Sequence, residues 1–261
     1  MNQGSDISQK EFATVLGDRL EYAWVGARGG APVIVMLHDS LGSVRTWKDF
    51  PAQLAQATGC PILVYSRQGF GGSDPLKTPR WRGYMHHEAE KVLPALLQAL
   101  DVKNPILFGH SDGATIALIC AGAHPTLVRG VILEAPHVFV EPVTLAGIEA
   151  AKALYRTTNL REKLLRYHHD PDAVFANWTE TWTAPYFKDW NVEDYVPRVR
   201  CPILMIQGWD DEFGSMAQLD AIQAGQDDRA ILMLHACAHS PHRDQPTAVL
   251  VAAADFVKGL R

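Results

Sequence analysis

The sequence has little cysteine and no stretch that would place it in a membrane. Its four cysteines, Cys60, Cys120, Cys201 and Cys237, lie far apart without C-x-x-C spacing, so buried free thiols are expected rather than a zinc or redox site. No apolar run approaches the length of a transmembrane helix. Residues 1–10 are polar and lack the apolar core of a secretory signal. The sequence therefore predicts a cytoplasmic protein.

The sequence also lacks a strong excess of charge of either sign. The net charge is only -5, charged residues make up 20% of the chain, and the lysines and arginines are scattered. Without a basic stripe or a basic cluster beside an apolar helix, neither nucleic acid nor a membrane surface is an expected partner. A hydrophobic content of 47% is typical of a globular protein that buries a substantial core. The expected partner is a small-molecule substrate with an apolar or aromatic part, and the oligomeric state stays open.

Short apolar runs alternate with helical patterns through most of the chain. The runs are residues 12–16, 20–25, 33–37, 62–65, 106–108, 131–133, 203–206 and 231–234. The helix candidates are residues 44–57, 84–100, 114–123, 216–224 and 247–260. Gly17-Asp18 separates the first two runs and predicts a hairpin, while the continuous later runs are typical of strands covered on both faces. This alternation predicts an α/β fold with a mostly parallel sheet and helices on both faces.

Residues 137–196 interrupt this alternation. They contain no convincing strand but several helix-like pieces rich in tryptophan, tyrosine and phenylalanine. A helical insertion between the sixth and seventh strands is the natural interpretation. The chain is therefore predicted to consist of a core domain, residues 1–136 and 197–261, and an inserted helical domain, residues 137–196.

The sharpest motif is the G-x-S-x-G sequence of residues 109–113, which places Ser111 between a predicted strand and a predicted helix. A sharp strand-to-helix turn needs small residues beside the serine and projects its oxygen away from the sheet. The alternative is a glycine-rich turn with a serine that only caps the helix. The position between strand and helix favours a nucleophile.

A serine nucleophile needs a general base, and the chain has eleven histidines. His239 follows the last predicted strand, where the Ser-acid-His order of this kind of site places the base. His242, three residues later, is the main competitor and is interpreted as a hydrogen-bonding support for the same loop. The histidines in helical segments are interpreted as surface or packing residues.

A carboxylate should orient the histidine and stabilise its charged form. Asp210, Asp211 and Glu212 follow the seventh predicted strand, and Glu134 ends the sixth. Any one of them could instead be a solvated loop charge or a helix cap. The residues alone therefore leave the acid open, although chain order favours the cluster after the seventh strand.

Over nearly its whole length the chain resembles the α/β-hydrolase family. The family's G-x-x-D motif matches residues 208–211 and selects Asp211, and its late H-x-x-H-x-x-x-P pattern matches residues 239–246. The family's H-G-x-x turn looks like residues 38–41. By this resemblance, the backbone N–H groups of Ser40 and Asp112 form the oxyanion hole.

The chain departs from the family pattern at two turns. Asp39 stands where a glycine usually follows the loop histidine, which places a carboxylate near the expected oxyanion site. In the turn that usually reads D-x-R-G-x-G-x-S, Ser66 replaces the aspartate and Gln68 replaces the arginine. Neither change removes an expected catalytic group, but both bear on the polarity of the pocket.

The resemblance also makes the insertion a cap that roofs the active site. Trp178, Trp182, Phe187 and Trp190 are the candidates for contact with substrate, although such aromatic residues can also only pack a lid onto the core. The implied function is hydrolysis of a small or medium carboxylic ester or lactone, without metal or organic cofactor. The alternatives are C–C bond hydrolysis of a ring-cleavage product, thioester hydrolysis, perhydrolysis without a cofactor, and a hydrolase-like ligand receptor.

Overall fold

Eight strands form one sheet in residues 11–224 and 229–260, the part of the chain that the computed structural model describes. The strands are β1 (Glu11–Val15), β2 (Asp18–Val25), β3 (Ile34–Leu37), β4 (Ile62–Tyr65), β5 (Ile106–His110), β6 (Gly130–Glu134), β7 (Ile203–Gly208) and β8 (Ala230–Leu234). Their order in the sheet is β1-β2-β4-β3-β5-β6-β7-β8. The expectation for residues 1–10 lies outside the described residues.

The six strands β4-β3-β5-β6-β7-β8 are parallel to one another, and the antiparallel pairs are β1 with β2 and β2 with β4. Every residue of β3, β4, β5, β6 and β7 is buried. This burial explains their continuous apolar sequences, because strands covered on both faces have no solvent side. The mostly parallel α/β fold predicted from the sequence is confirmed.

Helices cover both faces of this sheet. They are α1 (Phe50–Thr58), α2 (Tyr84–His87), α3 (Leu93–Ala99), α4 (Asp112–Ala123), α5 (Pro142–Thr157), α6 (Leu160–Leu165), α7 (Pro171–Thr183), α8 (Met216–Gln223), α9 (Pro241–Asp244) and α10 (Pro246–Gly259). Leu54 of α1 and Val249 of α10 belong to the core on one face, whereas Leu96 of α3 and Ile116 of α4 belong to the core on the other. Across residues 11–224 and 229–260, no helix has the length and apolar character needed to cross a bilayer.

Two predicted helices differ in detail from the observed ones. The segment 44–57 is a 3₁₀ turn, Val44–Trp47, followed by α1, because Lys48 adopts a left-handed φ of 54° that breaks the helix. Pro51 then lies in the first turn of α1, where its missing N–H costs no hydrogen bond. The segment 84–100 is α2 and α3 joined by a π-helical turn, Glu88–Val92.

The segment between β6 and β7 contains α5, α6 and α7, followed by two 3₁₀ turns, Pro185–Phe187 and Glu193–Arg198. No strand of the sheet interrupts it. The segment therefore leaves the sheet at the carboxyl end of β6 and returns at the amino end of its parallel neighbour β7. In parallel α/β sheets the carboxyl ends of the strands are where ligands bind.

Candidate active site

Ser111 lies in a tight turn between β5 and α4. Its backbone has a φ of 54° and a ψ of -121°, an unusual conformation for a residue other than glycine. A Cβ on Gly109 would collide with the backbone of Gly113 and Ala114, and a Cβ on Gly113 would collide with the carbonyl of Leu37. Both glycines of the motif are therefore required because the backbone segments approach so closely.

The structure brings Ser111, His239 and Asp211 into one chain of hydrogen bonds. Ser111 Oγ lies 2.9 Å from His239 Nε2, and His239 Nδ1 lies 2.9 Å from each carboxylate oxygen of Asp211. In the tautomer that fits these contacts, the serine hydroxyl donates to Nε2 and Nδ1–H donates to the carboxylate. The side chain of Asp211 is 1% exposed and that of His239 is 13% exposed.

The carboxylate of Asp211 is fixed by neighbouring donors. Oδ2 accepts a hydrogen bond of 2.7 Å from Gln207 Nε2, and Oδ1 accepts from the backbone N–H groups of Phe213 at 2.8 Å and Gly214 at 3.2 Å. Burial raises the pKa of Asp211, but the charge and hydrogen bond of His239 and the Phe213 N–H together lower it below its ordinary value. Asp211 is therefore ionised at neutral pH.

The contact with Asp211 shifts the pKa of His239 in the opposite direction, upwards. Burial alone lowers the pKa of the imidazole, because a charged ring loses its hydration. The charge of Asp211 and its hydrogen bond more than offset this, so the pKa of His239 is raised above its ordinary value of 6.5. The arrangement stabilises an imidazolium next to Ser111.

Within the described residues, the rival carboxylates do not hydrogen-bond to the imidazole of His239; Glu212 Oε2 accepts only from the His239 backbone N–H, at 3.3 Å. Glu134 instead pairs with His242: its Oε1 accepts from the backbone N–H of His242 and its Oε2 contacts His242 Nδ1, both at 2.6 Å. Asp210 has an exposed side chain, and its backbone N–H donates to the carbonyl of Cys237. The geometry therefore selects Asp211 as the partner of His239.

A buried cluster lies behind the histidine loop. Ligand atoms of His110, Glu134 and His242 lie within 4.8 Å of one another, which is the spacing that a metal site would require. However, the direct contact of 2.6 Å between His242 and Glu134 leaves no room for an ion between those two atoms. His110 Nε2 lies 2.6 Å from the carbonyl oxygen of His239, and burial lowers the pKa of His110 to about 4. The hydrogen bonds fit a support for the loop, with His110 neutral and donating.

Arg67 fixes the loop that carries Ser40. This fully buried guanidinium donates to the carbonyl oxygens of His38 and Asp39, and the Arg67 backbone N–H donates to His38 Nε2 at 3.1 Å. Burial keeps the pKa of His38 well below its usual range, so its ring is neutral and Nδ1–H donates to the Asp39 carbonyl at 2.7 Å. The backbone of Ser40 is thereby held beside Ser111.

A cavity of about 170 Å³ opens in front of Ser111. It is lined by Asp39, Ser40, Leu41, Ser111, Asp112, His137, Thr144, Ile148, Ala151, Trp178, Trp182, Glu212, Phe213, His239 and Ser240. The N–H of Asp112 belongs to the first turn of α4, where no acceptor within the helix is available. Both predicted oxyanion residues therefore border the cavity.

Of the four predicted aromatic contacts, only Trp178 and Trp182 line the cavity. Phe187 and Trp190 are 0% and 1% exposed and stack on each other with centroids 5.2 Å apart. Each also lies against Trp182, at 5.1 Å and 5.5 Å. The expectation that these two residues reach the pocket is corrected: they pack behind Trp182, because an aromatic-rich sequence does not show which rings face inward.

Several lining residues were not identified from the sequence. His137 directly follows the sixth strand region, and its Nε2 donates to the Phe213 carbonyl at 3.0 Å. The rings of His137 and Phe213 lie 5.7 Å and 4.8 Å from that of His239. The position of His137 three residues after β6 was the signal that could have identified it as a lining residue. Ile148 of α5 carries no such signal, because any amphipathic helix has apolar residues of this kind.

The structure also accounts for the serine that replaces an aspartate at position 66. Ser66 Oγ donates to Glu21 Oε2 at 2.8 Å and accepts from the Val44 N–H at 2.9 Å. Glu21, 2% exposed on β2, also accepts from the Gly72 N–H at 2.8 Å. The carboxylate that the turn lacks is thus supplied by another strand. An acid within an apolar run was the signal for it.

The chain is similar to several known hydrolases. Human (Homo sapiens) serine hydrolase BPHL is 27% identical over 220 residues, covering 80% of this chain and 72% of the relative. The 2-hydroxy-6-oxononadienedioate/2-hydroxy-6-oxononatrienedioate hydrolase of Paraburkholderia xenovorans (strain LB400) is 26% identical over 241 residues, covering 80% and 81%. The crystal structure of the enol-lactonase from Burkholderia xenovorans LB400 superposes with a TM-score of 0.76 at 20% identity, covering 95% of this chain and all of that one. Because the family model matches residues 34–253, this chain belongs to the alpha/beta hydrolase family of hydrolytic enzymes.

Proposed function

We propose that this chain is a serine hydrolase that cleaves a small or medium carboxylic ester or lactone through an acyl-enzyme on Ser111. The observation that carries the proposal is the hydrogen-bonded chain Ser111–His239–Asp211, with contacts of 2.9 Å, at the floor of a cavity. A serine hydroxyl is a weak nucleophile alone, and an adjacent oriented base is what activates it.

In the acylation step, Ser111 Oγ attacks the carbonyl carbon while His239 Nε2 takes the hydroxyl proton. The ionised Asp211 stabilises the resulting imidazolium, in agreement with the raised pKa of His239. The backbone N–H groups of Ser40 and Asp112 stabilise the charge on the carbonyl oxygen. When the tetrahedral intermediate collapses, the C–O bond breaks and His239 returns its proton to the leaving oxygen.

Deacylation repeats these roles with water. His239 removes a proton from a water molecule as its oxygen attacks the acyl carbon, and then protonates Ser111 Oγ as the acid leaves. A lactone follows the same steps, except that the alcohol remains attached to the acid. None of the steps requires a metal ion or an organic cofactor.

The inserted segment, residues 137–196, serves as the cap in this proposal. Its helices α5 and α7 contribute Thr144, Ile148, Trp178 and Trp182 to the cavity wall. A cavity of about 150 Å³ is known to hold benzene, so the 170 Å³ here fits an aryl or short acyl group. The apolar wall supports a substrate with an apolar or aromatic part.

Hydrolysis of a C–C bond is the second candidate. It is favoured by the similarity to the Paraburkholderia xenovorans hydrolase, because the compound in that enzyme's name contains no ester or amide bond. Water can therefore split its carbon skeleton only at a C–C bond. A panel of esters, lactones, thioesters and 2-hydroxy-6-oxo dienoates separates the two candidates by which class gives the highest kcat/KM.

Removal of the proposed nucleophile tests the reaction class. We expect Ser111→Ala to lower kcat by roughly 10⁴ or more and to abolish covalent labelling by a fluorophosphonate. Ser240→Ala, which removes another hydroxyl lining the cavity, is the matched control and should retain labelling. Near-normal turnover by a folded Ser111→Ala protein would refute the proposal. Labelling of the unaltered protein without turnover of any panel member would favour a receptor.

A further inference from the structure

A second cavity of about 380 Å³ adjoins the first, and the two share Asp39 and Leu41 in their walls. We call it the basic groove. Its floor is formed by apolar side chains of α6 and by Tyr167, and four cations border it. They are Lys48, Lys163, Arg166 and Arg243.

The four cations of the groove differ from several other basic residues of this surface, because they form no ion pair within the described part of the chain. None of them lies within ion-pairing distance of a carboxylate in residues 11–224 and 229–260, whereas Arg82, Lys152 and Arg161 do. A fifth cation, Arg45, lies over the Tyr167 ring at 5.8 Å. The chain carries a net charge of -5, whereas the groove is a local region of positive charge. Clustered cations without partners attract anions into a cleft.

Asp39 sets the direction in which a ligand would lie. Its carboxylate stands between the groove and the cavity that contains Ser111. Burial raises the pKa of Asp39, but its interactions with His110, which is charged only in acid, and with Arg243 lower it below its ordinary value. The carboxylate is therefore ionised at neutral pH. This charge disfavours an anion in either cavity, but no lysine or arginine of the described residues lines the cavity in front of Ser111, whereas the groove supplies cations that offset the repulsion.

The volumes of the two cavities also indicate that the charged end of a substrate would lie in the groove. The 170 Å³ in front of Ser111 holds a group about the size of a benzene ring, and any longer substrate must extend past it. The groove beyond Asp39 offers more than twice that volume. Its apolar floor suits a short carbon linker, and its cations suit a charged end.

We propose that the basic groove binds an anionic group, a carboxylate or a phosphate, at the end of the substrate distant from the bond that is cleaved. This proposal rests on the proposed function, because it assigns a substrate class to the same site. It predicts a preference for esters that carry a terminal anion over neutral esters of the same length.

The test compares three synthetic esters that differ only in a terminal methyl, carboxylate or phosphate group. The altered protein is the double variant Lys163→Gln/Arg166→Gln, since both residues lie at α6, away from Ser111 and His239. The matched control is Lys188→Gln/Arg200→Gln, which removes two exposed cations outside the groove. Measurements at about 0.01 M and about 0.5 M salt separate screened charge effects from other changes.

The unaltered protein should have a lower KM for the anionic esters, and this advantage should shrink in high salt. An exposed ion pair changes binding by about 1.4- to 5-fold, so losing two cations should raise KM for the anionic esters by roughly 2- to 25-fold. KM for the neutral ester and all values of the control variant should stay unchanged. Whichever anion shows the larger effect identifies the natural group as a carboxylate or a phosphate.

Binding to Ser111→Ala, measured by calorimetry with the same three esters, keeps this result separate from the proposed reaction. Tighter binding of an anionic ester that is lost in Ser111→Ala/Lys163→Gln/Arg166→Gln supports the groove even if no ester is hydrolysed. Hydrolysis of all three esters with equal KM, or an equal loss for neutral and anionic esters in the double variant, would overturn the groove and leave the serine hydrolase standing. Equal weak binding of all three esters to Ser111→Ala would also overturn it.

Discussion

Replacing Asp211 with asparagine tests the proposed triad most directly, because the structure shows what each atom of the new side chain would meet. Oδ1 of Asp211 faces two backbone N–H donors, from Phe213 and Gly214, and Oδ2 faces the Nε2 donor of Gln207. The amide NH₂ of asparagine cannot take the Oδ1 position without opposing both backbone donors. It can take the Oδ2 position if Gln207 turns over, a change that gives up the hydrogen bond of 3.1 Å from Gln207 Nε2 to the Gly214 carbonyl.

The asparagine would therefore fit at the cost of about one hydrogen bond and without unfolding, with its NH₂ group beside His239 Nδ1. His239 Nδ1 lies 2.9 Å from both oxygens, so it can accept from this NH₂ group instead of donating to the carboxylate. That contact stabilises the tautomer with the proton on Nε2, which cannot accept the proton of Ser111. Loss of the aspartate charge also destabilises the imidazolium that forms in the reaction.

We expect Asp211→Asn to lower kcat by about 10⁴, equivalent to about 5.5 kcal/mol of transition-state stabilisation. The thermal unfolding midpoint should change little. Asp210→Asn is the matched control, since it makes the same change at an exposed neighbour and should leave kcat within a few-fold. Steady-state turnover of the best ester, with unfolding followed by circular dichroism, gives both quantities.

A folded Asp211→Asn protein that keeps more than a tenth of its activity would refute this reasoning. If Glu134→Gln lost activity at the acyl-transfer step instead, the acid would be on the sixth strand. If activity and the folded state were lost together, the hydrogen bonds of Asp211 would be needed to hold the loop, in addition to the role of its charge in the reaction.

The other predictions concern pH, the buried histidine pair and the cap. His239 must be neutral to accept a proton, and its pKa is raised above 6.5. We therefore expect kcat/KM to rise with pH and to reach half its maximum above pH 6.5. A midpoint below this value would contradict the stabilisation of the imidazolium by Asp211. His242→Ala removes the imidazole partner of buried Glu134 and keeps the backbone N–H donor of residue 242, so chemical denaturation should show a loss of about 3 kcal/mol. The folded fraction should lose far less activity than His239→Ala. Trp178→Ala should reorder kcat/KM across acyl and aryl esters, whereas Trp190→Ala should keep the order and cost about 3–5 kcal/mol of stability. An unchanged order in the first variant would remove Trp178 from the substrate site.

Much of the fold was predictable because its signals are local. A strand buried on both faces has to be apolar at every position, so β3 through β7 appear in the sequence as continuous runs. The break at Lys48 was not predictable, because a lysine rarely adopts a positive φ and nothing in its residue type indicates one.

The candidate site was predictable to the extent that its residues belong to turns with strict requirements. Ser111 was identified because only glycine fits at positions 109 and 113, and that requirement is visible in the sequence. The aromatic residues of the insertion carry no such requirement, so Trp178 at the cavity and Trp190 behind it could not be told apart. The basic groove was hidden for a different reason: its cations come from three separate segments of the chain, spread from Lys48 to Arg243.

The histidine loop shows why a residue's neighbours decide its chemistry more than its type does. His239 and His242 each place Nδ1 against a buried carboxylate, Asp211 after β7 and Glu134 at the end of β6. As acid–histidine pairs they are nearly equivalent, and both lie at the edge of the sheet where ligands bind. They differ in what the rest of each ring meets.

The ring of His242 is enclosed by Trp47 and Phe50, with centroids 4.7 Å and 5.5 Å away, and its side chain is 3% exposed. His239 instead borders the cavity and holds Ser111 Oγ at 2.9 Å from Nε2. A proton removed by His239 can therefore pass between substrate and water, whereas the rings around His242 block that exchange. The difference in access, and not a difference in the acid–histidine contact, is what makes one pair the proposed catalytic pair and the other its support.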